Sequence, residues 1–283
     1  MFGKCIKHEL RATRRTLAPI LLAMLAVSLL ASVLVAIKGR LLANGEELVF
    51  SAMGGAVVGI LLISLFVLAV TVGVVAFIMV IRRFYTSFFT DEGYLTFTLP
   101  VTIHEHILSK LVVSLIWQVL SGVCVLVSSG MLVLAFRWAL NDEDLFMEIS
   151  AAFSELFSEL GAIFSENFGV AFFPLFAVYA LLSMVYTICL LYFCISLACM
   201  IAKKHRVVMG ILCGYGINWG FSLVGGIAAV VLFLVMAVTN VLSENVTLFF
   251  TLMMALATVL AALQVFLCYF GTKWILTKKL NLD

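Results

Sequence analysis

Residues 49–81 read VFSAMGGAVVGILLISLFVLAVTVGVVAFIMVI, a run without one Asp, Glu, Lys or Arg, and Arg82 and Arg83 close it. A helix rising about 1.5 Å per residue needs about 20 residues to cross a hydrocarbon core of about 30 Å. This run exceeds that length. Five further charge-free stretches are of the same kind, at roughly 17–37, 111–136, 170–202, 207–243 and 245–272. A chain of 283 residues that is 65% hydrophobic and 11% charged is not a soluble single domain. The fold class expected is an all-α membrane protein, one transmembrane domain of six helices over residues 1–283.

The charges between the stretches sort by sign. Taking the termini and connections alternately from the N-terminus, one set holds Lys4, Lys7, Arg11, Arg14, Arg15, Arg82, Arg83, Lys110, Lys203, Lys204, Arg206, Lys273, Lys278 and Lys279. The other set holds only Lys38, Arg40 and Arg137 of the 17 basic residues. By the positive-inside rule both termini are expected in the cytoplasm, in a bacterial inner (cytoplasmic) membrane. The acidic residues divide the other way, with Glu9, Asp91, Glu92, Glu105 and Asp283 inside and the remainder outside. Net charge is +2, so nothing here points to nucleic acid. The apolar run after the basic start is longer than a signal-peptide core, and a retained anchor is expected.

The spans themselves carry no ionisable acid or base. Carriers driven by protons or sodium usually place such groups inside the membrane. The strongest polar groups within the spans are Gln118, Asn218 and Gln264, as hydrogen-bonding glue between helices or as groups facing a cavity. Pro19 and Pro174 are expected in the first turns of their spans, where a missing N–H costs nothing. Cys189, Cys194 and Cys199 are spaced by five and scatter around a helix, as buried fillers. Gly55 with Gly59, Gly210 with Gly214, and Gly216 with Gly220 form GxxxG pairs that let helix backbones approach.

Two segments outside the spans read as amphipathic. In residues 1–16, Phe2, Ile6, Leu10 and Thr13 share a face that Leu17 continues, and Lys4, Lys7, His8, Arg11, Arg14 and Arg15 fill the other side. This predicts an interfacial helix on the cytoplasmic leaflet, its cations toward anionic lipid. Residues 141–168 predict an external helix between spans three and four. Leu145, Ile149, Phe153, Leu156, Leu160 and Ile163 recur along one face, and Glu148, Glu155, Glu159 and Glu166 lie on the other.

The loop 82–110, between spans two and three, mixes aromatic residues with Asp91 and Glu92, as a protein-docking surface does. His104 and His106 flank Glu105, but positions two apart diverge on a helix, and no other ligand completes a metal set. Within this loop Glu92, Gly93, Leu95, Thr98, Leu99, Pro100, Val101, Thr102 and Glu105, followed by Lys110 at the head of the next span, make a pattern. It resembles the first cytoplasmic loop of type-2 ABC exporter permeases, the transmembrane subunits of ABC transporters, and its Asp91-Glu92-Gly93-Tyr94-Leu95 form is similar to those of Gram-positive bacteria. The basic N-terminal segment and the six-span layout fit the same resemblance. One departure is the short link between spans five and six, since the external helix here sits between spans three and four.

The resemblance implies a chain that is not itself an enzyme. No G-x-x-x-x-G-K-[ST] motif occurs in it. ATP and magnesium would belong to a separate ABC ATPase docking on loop 82–110, with Asp91, Glu92, Gly93, Tyr94, Leu95, Thr98, Leu99 and Pro100 forming a coupling helix. ATP-driven closure would tilt spans one, two and five, alternating access at an interface with a second permease copy or a paralogue. Hydrophobic or amphipathic cargo (peptide, lipid or drug) would suit the apolar cavity. A non-transporting scaffold or sensor subunit and a self-contained secondary carrier remain the alternatives.

Overall fold

A computed structural model describes residues 2–43, 50–90, 93, 102–140, 151, 154, 155, 158, 159, 169–202, 204–239 and 245–278. Six long helices make up nearly all of it: α1 (Phe2–Ala43), α2 (Phe50–Phe89), α3 (Ile103–Leu140), α4 (Gly169–Ile201), α5 (Arg206–Val238) and α6 (Val246–Lys278). All six contain a segment long and apolar enough to cross a membrane, and no strand occurs among the described residues. The chain is a multi-pass, all-α membrane protein. Its large exposed side chains, Phe66, Leu126, Leu181 and Ile227 among them, are the apolar ones that a lipid-facing surface requires.

Helix limits and charge-free limits differ where charges begin. α2 continues through Arg82 and Arg83 to Phe89, and α3 starts at Ile103, well ahead of Leu111. Charges mark where hydrocarbon ends, whereas the backbone ladder of a helix runs on wherever capping and packing hold it.

By packing, the chain falls into two units. The first is Ile6–Met79 with Val113–Leu156, and the second is Met1–Cys5, Val80–Val112 and Phe157–Asp283. In the first, Leu17, Leu21 and Met24 of α1 pack with Val72 and Met79 of α2 and with Val113, Trp117 and Cys124 of α3. Ile6 and Leu10 join the same cluster. The stripe 6, 10, 13, 17, 21, 24, 28, 31, 35 therefore runs unbroken along one face of α1 at helical spacing. Thr13, Ser28, Ala31 and Val35 on it are all buried. Residues 1–16 were expected as a separate interfacial helix, but from Phe2 onward they are the first turns of this one 42-residue helix. Their apolar face meets protein, because it is in phase with the packing face of the span that follows. Lys4, Lys7, Arg11, Arg14 and Arg15 stay exposed.

That continuity corrects the reading of Pro19. It stands inside α1, where it removes one backbone hydrogen bond, and not in a first turn. Pro174 does lie near the start of α4.

In the second unit α4 packs chiefly on α6, and α5 lies against both. Gly271 is what permits the α4–α6 approach: a Cβ built there would stand 2.4 Å from Phe193 Cε2. Gly210 and Gly214 bring α5 onto Ala198 and Cys194 of α4, whereas Gly216 and Gly220 have nothing within 4 Å. Buried hydroxyls answer to their own helix backbone, as Ser196 Oγ donates to the Tyr192 carbonyl and Thr272 Oγ1 to that of Cys268, each at 2.8 Å. Of the expected external helix 141–168, Ala151, Ser154, Glu155, Ser158 and Glu159 are helical and exposed; its other residues lie outside those described.

Candidate functional site

The last turns of α2 present Phe84, Ser87 and Phe88, at i, i+3 and i+4, as one buried face. Phe84 stacks on Tyr192 of α4, ring centroids 4.1 Å apart and planes 9° from parallel. Phe88 meets the His106 ring edge-on at 6.5 Å. Lys110 Nζ of α3 donates a 2.8 Å hydrogen bond to Ser87 Oγ and lies 5.6 Å from the centroid of the Phe88 ring. Beside them, Arg206 Nη1 at the start of α5 donates to Tyr85 Oη at 3.2 Å. On α3, His104 Nδ1 pairs with Tyr269 Oη of α6. The helix ends that bracket residues 91–101 are thus fastened to α4, α5 and α6 by aromatic and polar contacts.

The start of α3 is fixed locally too. Glu105 Oε2 accepts from Thr102 N at 3.1 Å, and Glu105 N donates back to Thr102 Oγ1 at 3.3 Å. This reciprocal pair is a capping box, which explains two positions of the loop pattern by helix initiation alone. Gly93 is buried, and its N–H donates to the Thr90 carbonyl at 2.7 Å. Asp91, Glu92, Tyr94, Leu95, Thr98, Leu99 and Pro100 lie outside the described residues.

A second feature sits within the α4–α6 bundle. A cavity of about 430 Å³ is lined by Tyr179, Ser183 and Tyr186 of α4, Asn218 and Ser222 of α5, and Gln264 of α6, with apolar walls that include Phe221 and Met253. Tyr186 Oη donates to Asn218 Oδ1 at 3.1 Å. The volume falls within the range of small-molecule pockets. Not one lining residue is an acid, a base or a histidine. The structure brings Asn218 and Gln264 together here, while Gln118 is exposed on α3 and does not line the cavity. The tyrosines and serines were not singled out in the sequence, although 179, 183, 186 and 218, 222 each repeat at one helical face.

No family model, no curated protein and no solved structure matches this chain. The class that fold and site define is that of a multi-pass, six-helix membrane protein with a polar, uncharged cavity in its C-terminal bundle.

Proposed function

We propose that this chain is the permease subunit of an ATP-driven ABC exporter of the type-2 kind, seated in a bacterial cytoplasmic membrane with both termini inside. A separate ABC ATPase carries ATP and magnesium and docks on the loop between α2 and α3. A second permease, this chain or a paralogue, completes the translocation path. The cargo is hydrophobic or amphipathic.

One observation carries the reading. The loop hangs from two helix ends that belong to the same packing unit as α4, α5 and α6. The Phe84–Tyr192 stack, the Arg206–Tyr85 bond and the His104–Tyr269 pair tie them there, and the Lys110–Ser87 bond joins the two ends to each other. Force applied to the loop by an ATPase is thereby delivered to three spans and to the cavity among them, which is what coupled access requires. A connector serving only to join two spans has no need of three such ties. The sorting of basic residues supports a cytoplasmic location for this loop, where ATP is.

The test is co-purification from native membranes in mild detergent. An ATPase with nucleotide-binding motifs is expected to travel with the chain and to separate from it when the loop is altered. Isolation of the chain alone, at every salt concentration tried, contradicts the proposal.

A further inference from the structure

We infer that the cavity among α4, α5 and α6 binds an uncharged amphiphile whose head carries a free hydroxyl group, a lipid of the diacylglycerol type. The inference deepens the transport reading by naming a cargo class, and its test contains no ATPase, so that the two can fail separately.

Depth comes first. Asn218 lies twelve residues beyond Arg206, about 18 Å along α5, and Gln264 lies fourteen residues before Lys278, about 21 Å along α6. Both amides therefore stand well inside the apolar part of their spans. Polar groups at that depth cost free energy unless something hydrogen-bonds them. Tyr186 engages the Asn218 carbonyl oxygen, and an amide has two further N–H donors. Asn218 and Ser222 are exposed at the surface of α5, the span least enclosed by the rest of the chain. An occupant can therefore enter sideways from the bilayer.

Chemistry then narrows the occupant. Four hydroxyls and two amides line the cavity; Ser183 and Tyr186 spend their protons on the Ala180 carbonyl and Asn218 Oδ1 but can still accept, and the amide N–H groups donate. A ligand hydroxyl, itself donor and acceptor, matches them. A phosphate head does not, because the lining offers no cation to pair with it and desolvating an anion there is costly. Phe221, Met253, Leu256 and Leu260 supply the wall for acyl chain.

The experiment uses the purified full chain in phosphatidylcholine nanodiscs with a diacylglycerol carrying a photoreactive group in one acyl chain. Saturable labelling is expected on peptides containing Phe221, Met253, Leu256 or Leu260, the wall that meets the acyl chain. Unlabelled diacylglycerol displaces it, and phosphatidic acid with the same chains does not. Asn218→Leu and Gln264→Leu each lower the labelling about fivefold, the loss of one hydrogen bond; the smaller change Ser222→Ala lowers it in the same sense, and Gln118→Leu leaves it unchanged. The competition arm needs no variant and stands even where a substitution prevents folding. Labelling that does not saturate, or that phosphatidic acid displaces as well, overturns the inference. So does a photoreactive residue placed at position 222 that captures a second copy of the chain in place of lipid.

Discussion

Lys110 Nζ donates a 2.8 Å hydrogen bond to Ser87 Oγ, joining the two helices that flank the 91–101 segment at a point where both side chains are buried. A lysine in such a place is held by specific partners, since its charge is poorly solvated. Removing one acceptor while leaving the buried ammonium is the damaging change. Ser87→Ala is expected to lower stability by about 1–3 kcal/mol, read as a lower midpoint of thermal unfolding in detergent. Ser87→Thr keeps the hydroxyl and should hold most of the wild-type value.

Gly271 and Phe193 set the distance between α4 and α6. A methyl group at 271 would meet three atoms of the Phe193 ring, at 2.4, 3.0 and 3.1 Å. Gly271→Ala is expected to cost about 1–3 kcal/mol through overpacking. Phe193→Leu in the same chain should recover part of the loss. A double-mutant cycle on unfolding midpoints reads the coupling, and strictly additive effects would show that the two residues are not in contact.

In the other unit, Trp117 Nε1 donates to Thr13 Oγ1 at 2.7 Å, and Thr13 Oγ1 in turn donates to the Glu9 carbonyl at 2.9 Å. Thr13→Val keeps the shape and removes the acceptor from a buried indole. A loss of about 1–2 kcal/mol is expected, with Thr13→Ser near wild type. Intrinsic tryptophan fluorescence supplies a second readout, since the environment of Trp117 should change.

Much of this architecture is legible in the sequence, because each hydrocarbon-crossing segment excludes charge and the hydropathy record follows that exclusion directly. The N-terminal segment reads less well. Phe2, Ile6, Leu10 and Thr13 form an apolar face whose period does not say whether lipid or protein will cover it, and α2 and α3 supply the answer for most of that face. Asn218 and Gln264 stand out as amides in charge-free spans, but their convergence depends on how α5 lies on α6. Gly271 carries no signal of its own, since its meaning resides in a phenylalanine on another helix. The Lys110–Ser87 bond is hidden for the same reason, with 23 positions separating the partners.

Orientation has its own test. A cysteine placed at Glu155, an exposed position, should react with a membrane-impermeant maleimide in intact cells, and one placed at Glu105 should react only after permeabilisation. A Cys5→Ser background removes the native cysteine outside the spans. Reversed labelling would put the loop between α2 and α3 on the wrong face for an ATPase.

The most direct measurement concerns that loop. Glu92, Leu95 and Leu99 follow i, i+3, i+7 spacing, so on a short helix they share one face. Glu92→Lys reverses a charge at the proposed contact, and Leu95→Asp buries a charge in its apolar centre. Neither change touches a membrane span, so expression and insertion should persist, and Glu155→Lys serves as the matched control. Co-purification of the ATPase from membranes expressing each variant is then quantified against wild type. The account predicts that both loop variants lose most of the bound ATPase while the control retains it. ATPase recovery at wild-type level with both loop variants would show that residues 91–99 are only a connector, and the docking mechanism would fall.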